Sequence, residues 1–158
     1  MHQTQNIDWL IERSKIIEVI VGFANALDEK NWQKLQGYLA NEIEIDYSDF
    51  RGEAPQRVTA QEYVQQRVDG LAGLRTLHIS TNHEVTIEEN VAYCRSAYCI
   101  YRVNPTVEAG QNRLDTAGNY LHQLIRVGEE WRINAVKQTV VVISGNRQVH
   151  GAFRNSSS

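Results

Sequence analysis

The chain has 158 residues, 42% hydrophobic and 22% charged, the size and make-up of one globular domain. A chain of this length buries roughly 70% of its unfolded surface, so it needs no metal or disulfide staple to hold a core. Sixteen basic against nineteen acidic residues leave a net charge of −3, which argues against a nucleic-acid binder built on a concentrated basic face. No apolar run approaches the ~20 residues of a bilayer span. The opening, MHQTQNIDWL, has no basic segment leading into an apolar one, so a cytoplasmic chain is expected.

The first predicted element is a helix, because Ile16, Ile17, Ile20, Val21, Phe23, Ala24 and Leu27 fall in one arc at 100° per residue. Asp28 lies in the same arc, and a carboxylate ending a buried stripe needs a partner. The pattern fits two roles equally: a cap for a short helix over 31–39, or an acid inside a pocket. The alternation of Glu42-Ile-Glu-Ile-Asp-Tyr47 then predicts a half-buried strand. After a polar stretch through Pro55, Thr59 and Glu62 form a capping box for a third helix with Tyr63, Val64, Val68 and Leu71 on its core face.

Beyond Leu74 the period becomes two. Leu77, Ile79, Thr81, His83, Val85 and Ile87 are expected on one face, with His78, Ser80, Asn82 and Glu84 opposite. Three more strands follow, over 91–103, 116–127 and 131–144, and a polar tail is expected from Gly145. Helices at the front and strands at the back predict an α+β domain, with a core over about 7–144. Its antiparallel sheet curls around the N-terminal helices into a cone, and the enclosed cavity is the default ligand site.

Five residues apart on one strand, Cys94 and Cys99 point to opposite faces, so they hold no metal jointly and bridge poorly. The same parity argument separates His78 from His83. No other group of ligand residues has metal spacing, and neither metal nor cofactor is expected. His2 and His150 sit in polar ends and are expected to be solvated. Trp131 is expected to pack in the core.

Four segments together resemble the SnoaL-like branch of the nuclear transport factor two-like superfamily. They are Ala26-Leu-Asp-Glu-Lys-Asn-Trp32, Ile45-Asp-Tyr-Ser-Asp-Phe50, Leu74-Arg-Thr-Leu-His78, and Leu121-His122 with Glu129-Glu-Trp-Arg132. The first three are most similar to scytalone dehydratases, and Thr76-Leu-His-Ile-Ser-Thr-Asn82 is also similar to hexachlorocyclohexane dehydrochlorinase. The resemblance spans about residues 7–140. It implies that Asp28 and His78 form a catalytic pair, the imidazole taking a proton near pH 7 while the carboxylate fixes its tautomer. It further implies that Tyr47 polarises a substrate carbonyl through water.

Other positions depart from the dehydratase pattern. Tyr101 stands where a second histidine would be, Gly118 and Tyr120 replace a serine and an asparagine of the pocket, and Leu27 replaces a tyrosine. Scytalone is therefore a poor substrate candidate. Arg126 lies near a pocket arginine of the dehydrochlorinase and shares strand parity with Tyr120 and His122. It reads either as a group that stabilises a leaving anion or enolate, or as a surface residue at the strand's end. His122 reads as a core or a pocket histidine, and Tyr98, of opposite parity to Tyr101, as packing.

The function expected is a cofactor-independent lyase or isomerase of the dehydratase or elimination type. It would act on a small, mostly apolar molecule with an acidic C–H. His78 is the base, Asp28 its orienter, and Tyr47, Tyr101, Tyr120 and Arg126 contact the substrate. The alternatives are a non-catalytic binding or assembly module of the same fold, and a structural subunit of a ring-hydroxylating dioxygenase. The resemblance also implies a homo-oligomer, trimer or dimer. Its sheet has too many apolar positions (Tyr98, Ile100, and Val140-Val-Val-Ile143) for all to point inward.

Overall fold

The computed structural model describes residues 7–153. Helix α1 (Ile7–Glu29) starts nine residues earlier than the apolar stripe alone predicts, and buries Ile16, Ile20, Phe23, Ala26 and Leu27. It stops because Lys30 adopts the left-handed region (φ 52°), where Lys30 N–H bonds to Leu27 O and Asn31 N–H to Ala26 O. Asn31, not Asp28, caps α2 (Trp32–Gly37), its side chain accepting from Lys34 N. The capping alternative for Asp28 is thereby removed.

Strand β1 (Leu39–Asp46) leads into two short elements that the polar stretch concealed, α3 (Ser48–Arg51) and β2 (Gln56–Thr59). Helix α4 (Ala60–Gly70) opens on the expected capping box, with both the Thr59 and Glu62 bonds formed. Then come β3 (Arg75–Glu88), β4 (Val91–Val103), β5 (Arg113–Val127) and β6 (Glu130–Gly145).

The architecture is α+β: N-terminal helices with one curved, unclosed six-stranded sheet in the order β2-β1-β6-β5-β4-β3. It is mixed rather than purely antiparallel, because β1 runs parallel to β6. On β4 the inward face is Ala92, Cys94, Ser96, Tyr98, Ile100 and Arg102. Cys94 is buried there while Cys99 has the opposite parity, and both thiols are free.

A bulge overturns the single apolar face expected for β3. Asn82 and His83 together face one β4 residue, with Asn82 left-handed (φ 54°). Before it, Leu77 and Ile79 point outward and His78 inward; after it, Val85 and Ile87 turn in. His78 and His83 therefore do not diverge: His83 Nε2 lies 2.9 Å from Ser80 Oγ, on the His78 side of the strand. Two bulges also bend β6, and at the second a Cβ on Gly118 would lie 1.9 Å from Thr139 O. Only glycine allows that close approach.

The polar tail is not a tail through residue 153. Two 3₁₀ turns, Arg147–Val149 and Gly151–Phe153, fold back, Val149 enters the core, and Phe50 meets the rings of His150 and Phe153 edge-on at 5.4 and 5.2 Å. His150 is buried rather than solvated. His2 lies outside the described residues. No helix among the described residues is long and apolar enough to cross a membrane.

Candidate active site

Asp28 occupies the last turn of α1, where the helix dipole disfavours a negative charge. Its compensation comes from β3, an edge strand with backbone N–H groups to spare. Asp28 Oδ2 accepts from His78 N at 2.7 Å, and Oδ1 accepts from Thr76 Oγ1 at 2.8 Å and meets His78 Nδ1 at 2.5 Å. Three contacts from one strand lock the carboxylate and, through Nδ1, the ring. A carboxylate on Nδ1 selects the tautomer with the proton there, leaving the Nε2 lone pair free. Burial pulls His78 below the usual histidine value; Asp28 pulls it up, and the charges of Arg102 and Arg67 push it further down.

His78 borders two small chambers inside the cone, which share the walls Phe23, Leu27, Ile100 and Tyr120. Their free volumes are about 30 and 20 Å³, room for about one water each, so a larger guest displaces side chains. The first is lined by phenols and guanidinium groups, a wall far more polar than the expected apolar one. Tyr47 and Tyr63 hydroxyls meet at 2.8 Å, and Tyr120 OH accepts from Gln138 Nε2 at 3.0 Å. Burial holds Tyr63 and Tyr120 well above the usual phenol value, so both remain donors at neutral pH. The second chamber holds Tyr98, whose ring meets that of Tyr120 at a tilt, centroids 4.5 Å apart, and His122, set between Phe23 and Tyr120. Burial pushes the Tyr98 phenol up to about 12 and His122 down to about 3.

Of the residues expected to contact substrate, Tyr47 and Tyr120 lie on the chamber wall with His78. Tyr101 does not. Its odd position on β4 is the outward one, and its ring, 38% exposed, packs under the Arg113 guanidinium at 5.5 Å. Arg126 has the inward parity but sits at the far end of β5, where Glu12 of α1 claims it at 2.7 Å. Glu12 also accepts from Trp131 Nε1 at 2.8 Å, and the Arg126 guanidinium lies 4.4 Å from the Trp131 ring centroid. The expected stabiliser of a leaving anion is thus a structural tie between α1 and the sheet.

Three arginines that the sequence reading passed over enter instead: Arg51 from α3, Arg67 from α4 and Arg102 from β4. Arg67 and Arg102 are only 8% and 3% exposed. A signal for two of them existed. Arg67 lies one helical turn after Tyr63, and Arg102 has the parity of Tyr98 and Ile100, so each is a charge on an apolar stripe, as Asp28 is. Among the described residues, no group of three His, Cys, Asp or Glu side chains is arranged to hold a metal ion.

A helix-backed curved sheet with a carboxylate–imidazole pair buried in its cone defines a class of α+β domains built around an internal pocket. The chain belongs to the SnoaL-like domain family, whose pattern matches residues 9–137. It is similar in fold to the Kfla4162 protein of Kribbella flavida (24% identity, TM-score 0.82, covering 85% of this chain and 94% of that one). A candidate scytalone dehydratase of Novosphingobium aromaticivorans shares 15% identity at a TM-score of 0.76, over 87% and 89% of the two chains. A type 2 hexachlorocyclohexane dehydrochlorinase, LinA, shares 13% at a TM-score of 0.73, over 87% and 90%. No curated protein matches the chain at a significant level.

Proposed function

We propose that the protein is a cofactor-independent lyase or isomerase in which His78 is the general base. The observation that carries the reading is the 2.5 Å contact of Asp28 Oδ1 with His78 Nδ1 at the border of a small chamber. Nε2 removes a proton from carbon next to a carbonyl, and the C–H electron pair becomes the enolate. The imidazolium formed is stabilised by Asp28. Tyr47, through its hydroxyl pair with Tyr63, donates to the developing oxyanion. Collapse of the enolate then expels a leaving group on the neighbouring carbon with its bonding pair. For a hydroxyl, the imidazolium returns its proton and water departs; without a leaving group, reprotonation elsewhere gives an isomer.

The chain is further proposed to act as a homo-oligomer, trimer or dimer, in the cytoplasm, where free thiols such as Cys94 and Cys99 persist. The row Ile79, Cys99, Ala117 and Val142 crosses four strands on the outer face, with Ile79 41% and Val142 54% exposed. A second copy would cover such a row.

The test is deuterium incorporation from heavy water into a panel of ketones and phenols, by the wild type and His78→Ala, alongside thermal melts. Exchange that the variant abolishes at an unchanged melting point supports the base. No exchange by the wild type, with His78→Ala destabilised by the roughly 3–5 kcal/mol of a broken buried pair, would make Asp28–His78 structural and the protein a binding module.

A further inference from the structure

Arg51 and Arg67 lie over one aromatic ring. Their Cζ atoms are 4.9 and 5.2 Å from the Tyr47 centroid, and Arg67 is also 5.1 Å from that of Tyr63. Arg102 lies 5.3 Å from the Phe50 centroid and donates through Nη1 to Thr116 Oγ1 at 3.1 Å. Arg67 Nε and Nη2, Arg51 Nε and Arg102 Nε are buried without an acceptor. No carboxylate pairs with any of the three within 4.0 Å among the described residues, and none lines the chamber. Glu53 and Asp115 attract Arg51 and Arg102 only from farther away, and Asp115 is already held by Arg113 at 2.8 Å. Asp28 is committed to β3. The remaining titratable groups of this chamber are phenols and the His78 and His150 rings.

Three guanidinium groups line one chamber, two of them desolvated, with donors unspent and, among the described residues, no carboxylate in contact, an arrangement that suits an anion. Guanidinium forks match planar carboxylates, and the walls between them are flat rings: Tyr47, Tyr63 and Phe50. We propose that this chamber is the anion subsite of the active site, and that the substrate carries a carboxylate held by Arg67 and Arg102, with Arg51 closing the rim. The inference rests on the reading of His78 as the base, since the same chamber borders His78 and the grip would present the acidic C–H to it. It also changes the substrate class, from a mostly apolar molecule to a small organic acid with a planar carboxylate. The present free volume holds about one water, so entry requires a side chain to swing away. Arg51, the least buried of the three, on a helix of four residues, is placed to do so.

The experiment is equilibrium binding followed by protein fluorescence and thermal shift, at low salt, for two size-matched pairs, acetate with acetamide and benzoate with benzamide, and for inorganic phosphate. The wild type is expected to bind at least one carboxylate ten-fold or more above its amide, with affinity falling as salt rises. Arg67→Gln and Arg102→Gln, each checked for folding by its melting curve, should each lose that preference, while His78→Ala keeps it. Equal binding of acid and amide in both pairs, or folded arginine variants that retain the preference, would overturn the proposal, as would phosphate outcompeting both acids. Carboxylate binding without exchange into any acid or ketone would refute the base and leave the anion subsite standing. Exchange into neutral ketones without carboxylate preference would do the reverse.

Discussion

Replacing Arg67 by Met should make the protein more stable, because the residue is a desolvated charge that no carboxylate among the described residues pairs. Arg51 and Arg67 guanidiniums are no more than about 10 Å apart, since both rest on the Tyr47 ring. At an effective dielectric of about 20 their repulsion is then roughly 1.5–2 kcal/mol or more. Removing Arg67 also relieves a desolvation cost of several kcal/mol. Against this stand two lost cation–π contacts, to Tyr47 and Tyr63, worth about 1–2 kcal/mol each. Methionine keeps the apolar stem and has similar helix propensity, so packing in α4 changes little. The balance favours the variant by about 1–3 kcal/mol, a rise in melting temperature of roughly 3–10 °C for a chain of this size. Calorimetry at pH 7 in low-salt buffer free of carboxylates reads it directly. A folded variant that melts several degrees below the wild type would refute the reasoning, because it would show Arg67 to be a net stabilising contact.

Asp28→Asn should lower proton exchange about 100-fold or more at a similar melting temperature, since the amide keeps the shape but not the charge that stabilises imidazolium. Exchange by the wild type should be flat from pH 7 to 8 and decline only in acid, below the ordinary histidine range, because burial lowers His78; a midpoint above 7 would contradict this. His122, held down to about 3, takes up no proton in the folded state where the unfolded chain does. Its contribution to stability is complete above pH 6.5 and is lost as the pH falls toward 3, about 2 kcal/mol by pH 5. His122→Leu should flatten that part of the pH–stability curve, and an unchanged curve would assign the acid sensitivity elsewhere. Val142→Lys should shift the sedimentation coefficient toward the monomer, and a wild type already monomeric at micromolar concentration would end the self-association proposal.

Elements governed by local chemistry were legible in the sequence: the stripe of α1, the Thr59–Glu62 box and the long alternating strands. Asp28 and His78 were legible too, one as an acid on an apolar stripe and the other through its resemblance to a known pair. What escaped depends on events outside any short window. The extra residue at Asn82–His83 inverts strand parity, so a period-two argument valid up to Thr81 assigns Val85 and Ile87 the wrong relation to His78. Tyr98 and Tyr101 were separated correctly by parity, but which of them faces inward is set by Ile100 and Arg102. Arg126 has the right parity and the wrong depth, a distance along β5 that alternation does not encode. Arg51, Arg67 and Arg102 come from three elements, and although Arg67 and Arg102 each sit on an apolar stripe, nothing local tells that the three converge on one chamber. The burial of Val149 and His150 follows from the return of the chain onto Phe50, which composition does not foretell.

The parallel pairing of β1 with β6 has a consequence for how the chain acquires its site. Strands β3 to β6 form a meander of neighbours in sequence, which closes through short loops and can assemble early. Strand β1 must wait for β6, about ninety residues later, before its inner edge is satisfied. During synthesis Tyr47 and Arg51, which follow β1 directly, are therefore without their final scaffold until β6 has emerged. A product ending before β6 would leave both β1 and β5 with open edges, the kind of surface that recruits other chains. The last long strand is thus both the final support of the arginine chamber and the element whose late arrival leaves the nascent protein most exposed to aggregation.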